Sequence, residues 1–414
     1  MNSDKKRVLS ISSISVFCLF LLILVSMNPW FVWNYKKSIA FVLAISFLFL
    51  RFLLMTKKHS LSKPVIFIIV IAILLSFMIH LRSGGNIIFG LFRLSQFVLL
   101  LAFVLKMNII EKRRLVSIST NLYSWLVGIS IVAYLLVLNG VSLPYSIIEV
   151  PDNDFYPTFV NYKFFISFNY SNSLISNRFQ SIFTEPGHLG MFSAIFLYIN
   201  NYNIKRKSVL IIFVSLLMSL SLGGYVLLVL GYFLHIITIS EKSFFALSKI
   251  FLIVVLLGCI GFYFFKNHQD SNFSLLILNR LELDEDKGIA GNNRTSNNFD
   301  LFYKTQFLTS TKAILWGKGS EKDELSFLKT DGSYSYKTFL LYHGSVTLLL
   351  LFFLYFGIVS ISPSKLGYGL LILYCLSFLQ RPNALGSMQL FLFVGAVQCF
   401  FIEQNVTSVR VKNH

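Results

Sequence analysis

Apolar runs of about 17 to 20 residues recur along this chain of 414 residues. A helix must carry about 20 apolar residues to cross the roughly 30 Å hydrocarbon core, where only a structure that satisfies its own backbone survives. Repeated runs of that length leave few alternatives to a bundle of membrane-spanning helices. Composition agrees: 55% of residues are hydrophobic and 13% charged, against about 25% charged in a soluble domain. Expected spans fall near residues 8–27, 38–55, 64–80, 87–105, 115–139, 186–201, 207–221, 223–239, 248–265, 338–360, 366–380 and 384–402. The run after Lys5, Lys6 and Arg7 is too long for a signal peptide and lacks a small-residue cleavage site, so it reads as a retained first span.

Orientation follows from Lys and Arg in the short loops. With the N-terminus inside, nineteen such residues fall on the cytoplasmic side, among them Arg51, Lys112, Arg113, Arg114 and Arg206. The short outer loops hold four: Lys36, Lys37, Arg82 and Arg381. Residues 207–239 are the ambiguous stretch. One unbroken helix there would measure about 50 Å and would put the C-terminal tail outside, so a break at Ser219–Gly224 is expected. The result is an all-α polytopic membrane protein, a single membrane domain over 1–414, with about twelve transmembrane helices and both termini cytoplasmic. Two large extracytoplasmic loops remain, residues 140–185 and 266–337. Long loops on a compact bundle are commonly functional.

Cys18, Cys259, Cys375 and Cys399 all lie in apolar segments, which argues against a disulfide framework or a zinc site. The formal net charge of +18 has two readings: anchoring of the cytoplasmic edge on anionic lipid, or a site for an anionic substrate. The first outer loop ends in Arg178, Glu185, Pro186, His188 and Gly190. Pro186 suits a first helical turn, and a helix N-terminus beside an arginine suits a phosphate or pyrophosphate; ordinary capping is the plainer account. The second loop carries Arg280, Asn292, Asn293, Arg294, Trp316, Tyr334 and Tyr336. Guanidinium forks bind phosphate in a bidentate manner, and aromatic faces stack on sugar rings. A solvated cap built on Gly and Asn turns would look similar.

Arg82, Arg178, Arg280, Arg294 and Arg381 thus offer cationic heads on one side of the membrane. Arg93, in the fourth expected span, is a charge at membrane depth. Asp152 with Asp154, and Asp284 with Asp286, have a metal-site spacing, but such pairs in acidic loops arise readily by chance. Phosphate-binding loops, dinucleotide fingerprints and zinc motifs are absent from the sequence. No metal, no cofactor and no nucleic acid is expected.

The segment from Arg178 to Gly190, reading RFQSIFTEPGHLG, is similar to the R-x-G-x-F-x-E-P-x-x-x-G stretch of bacterial O-antigen polymerases of the Wzy type and of the related O-antigen ligases. Ser219-Leu220-Ser221 with Gly223-Gly224 resembles the broken Ser/Gly helix of that superfamily. Gly317-Lys318-Gly319 resembles its Gly-x-Gly before the last outer helix, and Tyr334 to Tyr336 followed by Gly344 resembles the ligases' His-Asn…Gly region. Order and topology fit over roughly residues 60–400. Two departures matter. Ser335 or Tyr336 stands where the ligases carry histidine, which favours polymerase. Arg280 and Gly291 fit the Arg-x10-Gly spacing of some polymerases, whereas eight residues separate Arg178 from Gly187 and eleven separate it from Gly190.

The resemblance implies a GT-C-like membrane glycosyltransferase in the bacterial inner membrane, acting in lipopolysaccharide and polysaccharide biosynthesis. It would join repeat units carried on undecaprenyl pyrophosphate, beside membrane lipid and with a chain-length-regulating protein as partner. Arg178 and Arg294 would stabilise the leaving pyrophosphate, with Arg280 and Arg381 next. Glu185 would serve as base, with His188 as substitute. Arg82, Tyr334, Tyr336, Asn292 and Asn293 would line the substrate groove. A ligase transferring glycan to lipid A core, and a lipid-linked oligosaccharide flippase, are the alternatives.

Overall fold

The computed structural model describes residues 2–27, 29–32, 35–54, 62–82, 87–149, 158–169, 178–239, 283–284, 288–289, 295–319, 335–382 and 386–412. These residues are mostly helical. The principal helices are α1 (Asn2–Ser26), α2 (Lys36–Leu54), α3 (Lys63–Arg82), α4 (Ile87–Lys106), α5 (Ile109–Leu138), α6 (Pro186–Ile199), α7 (Lys207–Met218) and α8 (Leu222–Ile239). Two short helices, α9 (Asn297–Phe302) and α10 (Thr311–Trp316), precede α11 (Tyr336–Ile361), α12 (Lys365–Gln380) and α13 (Ser387–Lys412). Helix thus occupies eleven of the twelve expected ranges; the ninth, 248–265, lies outside the described residues.

Among the described residues, α3, α5, α8 and α11 are long and apolar enough to cross a membrane. Large apolar side chains stand exposed around the bundle, among them Phe52, Phe67, Trp125 and Phe353. Exposed apolar side chains in such number, on helices long and apolar enough to cross a membrane, mark a membrane-embedded chain.

The long run 207–239 is broken as its length requires. Helix α7 ends at Met218, Leu220 takes a left-handed φ of 44°, and α8 starts at Leu222. Ser219 Oγ donates to Leu216 O, and Ser221 Oγ accepts from the Gly224 N–H, so side chains take up backbone groups at the break. The two helices then run in opposite directions along α6. Ser215 of α7 meets Ser193 at 3.2 Å, and Gly224 of α8 lies against Gly190, whereas Tyr202, just beyond the end of α6, lies against Gly231. The 14 residues of α6 and 12 of α7 span only about 21 and 18 Å at 1.5 Å per residue. Both are shorter than a hydrocarbon core of roughly 30 Å.

The bundle therefore has two distinct ends. At one, where α5 starts and α6 finishes, polar side chains form a braced network. Arg51 Nη1 donates to Glu111 Oε1 at 3.1 Å, Ser12 Oγ donates to the same oxygen at 2.6 Å, and Asn108 and Glu111 close a capping box on α5. Lys112 Nζ donates to Leu105 O and to Gln398 Oε1. Arg51 and Lys112 are 8% and 2% exposed. The sequence counts both among the Lys and Arg of the short cytoplasmic-side loops; paired or hydrogen-bonded, they are part of the packing.

At the other end sit the two loops. The first contains a three-stranded antiparallel sheet, β1 (Ser146–Glu149), β2 (Thr158–Asn161) and β3 (Ser167–Asn169). The second shows a two-stranded piece, β4 (Leu283–Asp284) with β5 (Gly288–Ile289). The sequence reading expected no strands. Phe168 and Ile166 pack on Ala133 near the end of α5, which anchors the first sheet. In the second loop Phe299, Tyr303, Phe307 and Ala313 form a small core with Leu341 of α11. Lys337 donates to Asp300 at 2.8 Å and ties the loop to the start of α11. Burial raises the Asp300 carboxyl pKa, but hydrogen bonds from Lys337 and Thr295 and the charges of Lys337 and Lys304 outweigh it, leaving the group below its ordinary value.

Helix α11 is interrupted at Gly344, whose φ of 79° and ψ of 171° are not helical. A broken helix leaves carbonyls without their i+4 donors. Here the extended segment after α10 supplies them: the Lys318 N–H donates to Leu341 O at 2.7 Å and the Gly319 N–H to Tyr342 O at 3.1 Å. The second loop is thus stitched into the helix that follows it.

Candidate active site at the N-terminus of helix α6

Pro186 opens α6 with Glu185 as the N-cap residue, in extended backbone (φ −146°, ψ 145°). The carboxylate does not cap its own helix. It reaches instead to Arg381, the residue that ends α12, whose Nη2 donates to Glu185 Oε2. Arg381 Nη1 contacts His188 Nε2 at 2.9 Å. A guanidinium only donates, so His188 accepts through Nε2 and carries its proton on Nδ1. Each charge sits where its helix favours it: carboxylate at the positive N-terminus of α6, guanidinium at the negative C-terminus of α12.

Arg381 is only 2% exposed and its Nε has no partner among the described residues; Glu185 keeps 29% of its side chain open. The pair is therefore buried from the arginine side and reachable from the glutamate side. Phe183 and Phe192 stack on each other at 5.2 Å and flank the His188 ring at 6.4 and 6.5 Å.

Arg178 lies at the same end. Its Nη1 donates to Leu220 O at 3.3 Å, the carbonyl inside the α7–α8 break. Gly190 and Gly224 let that break press against α6: a Cβ at Gly224 would sit 2.8 Å from Gly190 Cα, a backbone atom that cannot yield easily. Gly224→Val is accordingly expected to cost roughly 1–3 kcal/mol by overpacking, read as a lower melting temperature of the purified protein. An unchanged melt would mean the two helices slide apart freely.

The structure thus joins Glu185 and His188 to Arg381, 196 positions from Glu185, with Arg178 held at the same end on the α7–α8 break. Guanidinium groups such as those of Arg178 and Arg381 suit an anionic group. Tyr336 is half-buried in the first turn of α11, behind Ser335, which is the helix cap (its hydroxyl pairs with the Thr338 backbone in a capping box). Arg82 closes α3, but its side chain is outside the described residues, as are Arg280, Asn292, Asn293, Arg294 and Tyr334 altogether. Among the described residues no group of His, Cys, Asp and Glu could hold a metal ion.

Sequence reasoning did not identify Gln389, 3% exposed, whose Nε2 lies 3.9 Å from Met191 Sδ of α6 and whose Oε1 has no partner among the described residues. Nor did it identify the Leu220 carbonyl. A lone Gln in an apolar run was the available signal for the first, and the expected helix break was the signal for the second. Comparison with protein-family models, with curated proteins and with solved structures returns no match.

Proposed function

We propose that the chain is a polymerase of lipid-linked oligosaccharides, moving a glycan from a prenyl pyrophosphate carrier onto the terminal sugar of another carrier-linked unit. The observation that supports it best is the Arg381–Glu185–His188 cluster at the N-terminus of α6, with Arg178 at the same end of the bundle. In this reading twelve spans place both termini in the cytoplasm, and the two loops cap the cluster from the outer side of a bacterial inner membrane. A site with guanidinium groups is what a pyrophosphate at headgroup depth needs, with the prenyl tail lying along the apolar bundle.

The reaction breaks the anomeric C–O bond to pyrophosphate and forms one to an acceptor hydroxyl. Two charges move: negative charge grows on the leaving pyrophosphate, and a proton leaves the hydroxyl. Arg178 is placed to meet the first, with its guanidinium fixed on Leu220 O and worth most in a water-poor site. Glu185 takes the second role in preference to His188, because the Nε2 lone pair of His188 is already occupied by Arg381. Arg381 then orients the carboxylate. Arg280 and Arg294 complete the cationic side in this proposal, and a chain-length-regulating protein is the expected partner.

A gel of surface glycan from cells with the gene deleted and then restored tests the reading. Lipid A core bearing a single repeat unit, with the ladder lost and regained, supports polymerase. Bare core with long polymer still on the lipid carrier means ligase, and bare core with single units left inside means transport. In the restored strain, Arg178→Ala is expected to remove long chains, by roughly 10²–10³ in rate for one lost charge-stabilising donor, while the protein still inserts. Wild-type chain lengths would remove Arg178 from the chemistry.

A further inference from the structure

The opposite end of the bundle holds a cavity of about 230 Å³ that the chemistry above does not use. It lies between the start of α5, the end of α6 and the middle of α13. Arg113, Ser117, Asn200, Arg206 and Glu403 line it, over an apolar floor that includes Phe400. Arg206 is held in place on three sides: its Nη2 donates to Asn121 Oδ1 at 2.8 Å and to Ser117 Oγ at 3.5 Å, and its Nη1 donates to Asn200 Oδ1 at 3.3 Å. Asn200 is itself pinned, its Nδ2 donating to Thr120 Oγ1 and Phe196 O. A guanidinium braced by neutral acceptors keeps its full charge and loses little entropy when it binds. Lys112, on the same helix, is committed to Leu105 O and Gln398, so the cations of this cavity are Arg113 and Arg206.

We infer that this cavity is a binding site for a phosphate ester, seated between the Arg113 and Arg206 guanidiniums with its ester arm on the Phe400 floor. The two guanidiniums outnumber the Glu403 carboxylate in this lining, which favours an anion. Basic pockets between helices at a membrane edge take phospholipid headgroups in this way. A soluble glycerol phosphate presents the same chemistry, and the two sources separate by experiment. The site stands or falls independently of the glycan reading, since it shares no residue with the Arg381 cluster.

The test uses the full chain in detergent, with melting followed against dioleoyl phosphatidylglycerol, glycerol 1-phosphate and dioleoylglycerol. Phosphatidylglycerol is expected to raise the melting temperature saturably, and dioleoylglycerol is not. Arg113→Gln, which leaves the Arg206 brace intact, should raise the half-saturating concentration at least tenfold. Arg114→Gln, one residue along with the same loss of charge, should leave it within twofold. A shift from glycerol 1-phosphate alone assigns the site to a soluble ester, and a shift from the lipid alone assigns it to a headgroup; both uphold the inference. An equal shift from dioleoylglycerol, equal loss in Arg114→Gln, no loss in Arg113→Gln, or no saturable shift at all overturns it.

Discussion

Arg381→Ala is expected to abolish long-chain glycan and to lower the stability of the protein by about 3–5 kcal/mol, the usual cost of leaving one partner of a buried ion pair without the other. Arg381 is 2% exposed and donates to both Glu185 and His188. Its removal takes the guanidinium from the Glu185 carboxylate and the donor from the His188 imidazole whose tautomer it fixes. The two consequences separate in a double variant. Arg381→Ala with Glu185→Ala removes both charges, so melting should recover well beyond the sum of the single losses, while the glycan ladder stays absent. A single Arg381→Ala variant that melts and polymerises like the wild type would show that the pair is ornamental. Recovery of polymer in the double variant would show that it serves the fold alone.

The helices of this bundle were legible because the hydrocarbon core imposes a length on any crossing segment, and apolar runs advertise it. The break at Ser219–Ser221 was legible for the same reason: 33 residues of helix (207–239) are too long, and Ser and Gly mark where backbone groups find other partners. Residues Ser146–Glu149 and Thr158–Asn161 were missed as strands because segments of four residues carry too little alternation to stand out. The site was half legible. Arg178, Glu185 and His188 share one short stretch, so proximity in sequence foretold proximity in space. Arg381 was placed on the same side by charge distribution, yet nothing local to residue 381 points to Glu185, and only the packing of α12 beside α6 and α8 pairs them. Likewise Arg51 read as an edge charge because its partner Glu111 lies 60 residues on.

The second large effect falls on a pair of glycines whose meeting no sequence motif announces. Gly344 has φ 79° and ψ 171°, and Gly317 has φ 77° and ψ 171°; that region of backbone space is essentially closed to residues with a side chain. Each also occupies the other's space. A Cβ on Gly344 would lie 2.4 Å from Leu315 O and 2.5 Å from Gly317 N, and one on Gly317 would lie 2.4 Å from Tyr342 O. Gly344→Ala is therefore expected to cost about 1–3 kcal/mol in backbone strain and roughly 1–3 kcal/mol more from the clash. The structural result matters more than the sum. To relieve the clash the 317–319 segment must withdraw, and Leu341 O and Tyr342 O then lose the Lys318 and Gly319 donors in a setting poor in water. The helix could recover its hydrogen bonds only by straightening through residue 344, which swings its first two turns, and with them Tyr336 and Lys337, away from Asp300 and the loop. Cross-linking cysteines placed at Lys318 and Tyr342 reads this directly: efficient coupling in the parent, lost in Gly344→Ala and in Gly317→Ala. Retained coupling with an unchanged melt in both would mean that the loop holds to α11 by its small aromatic core and not by the break.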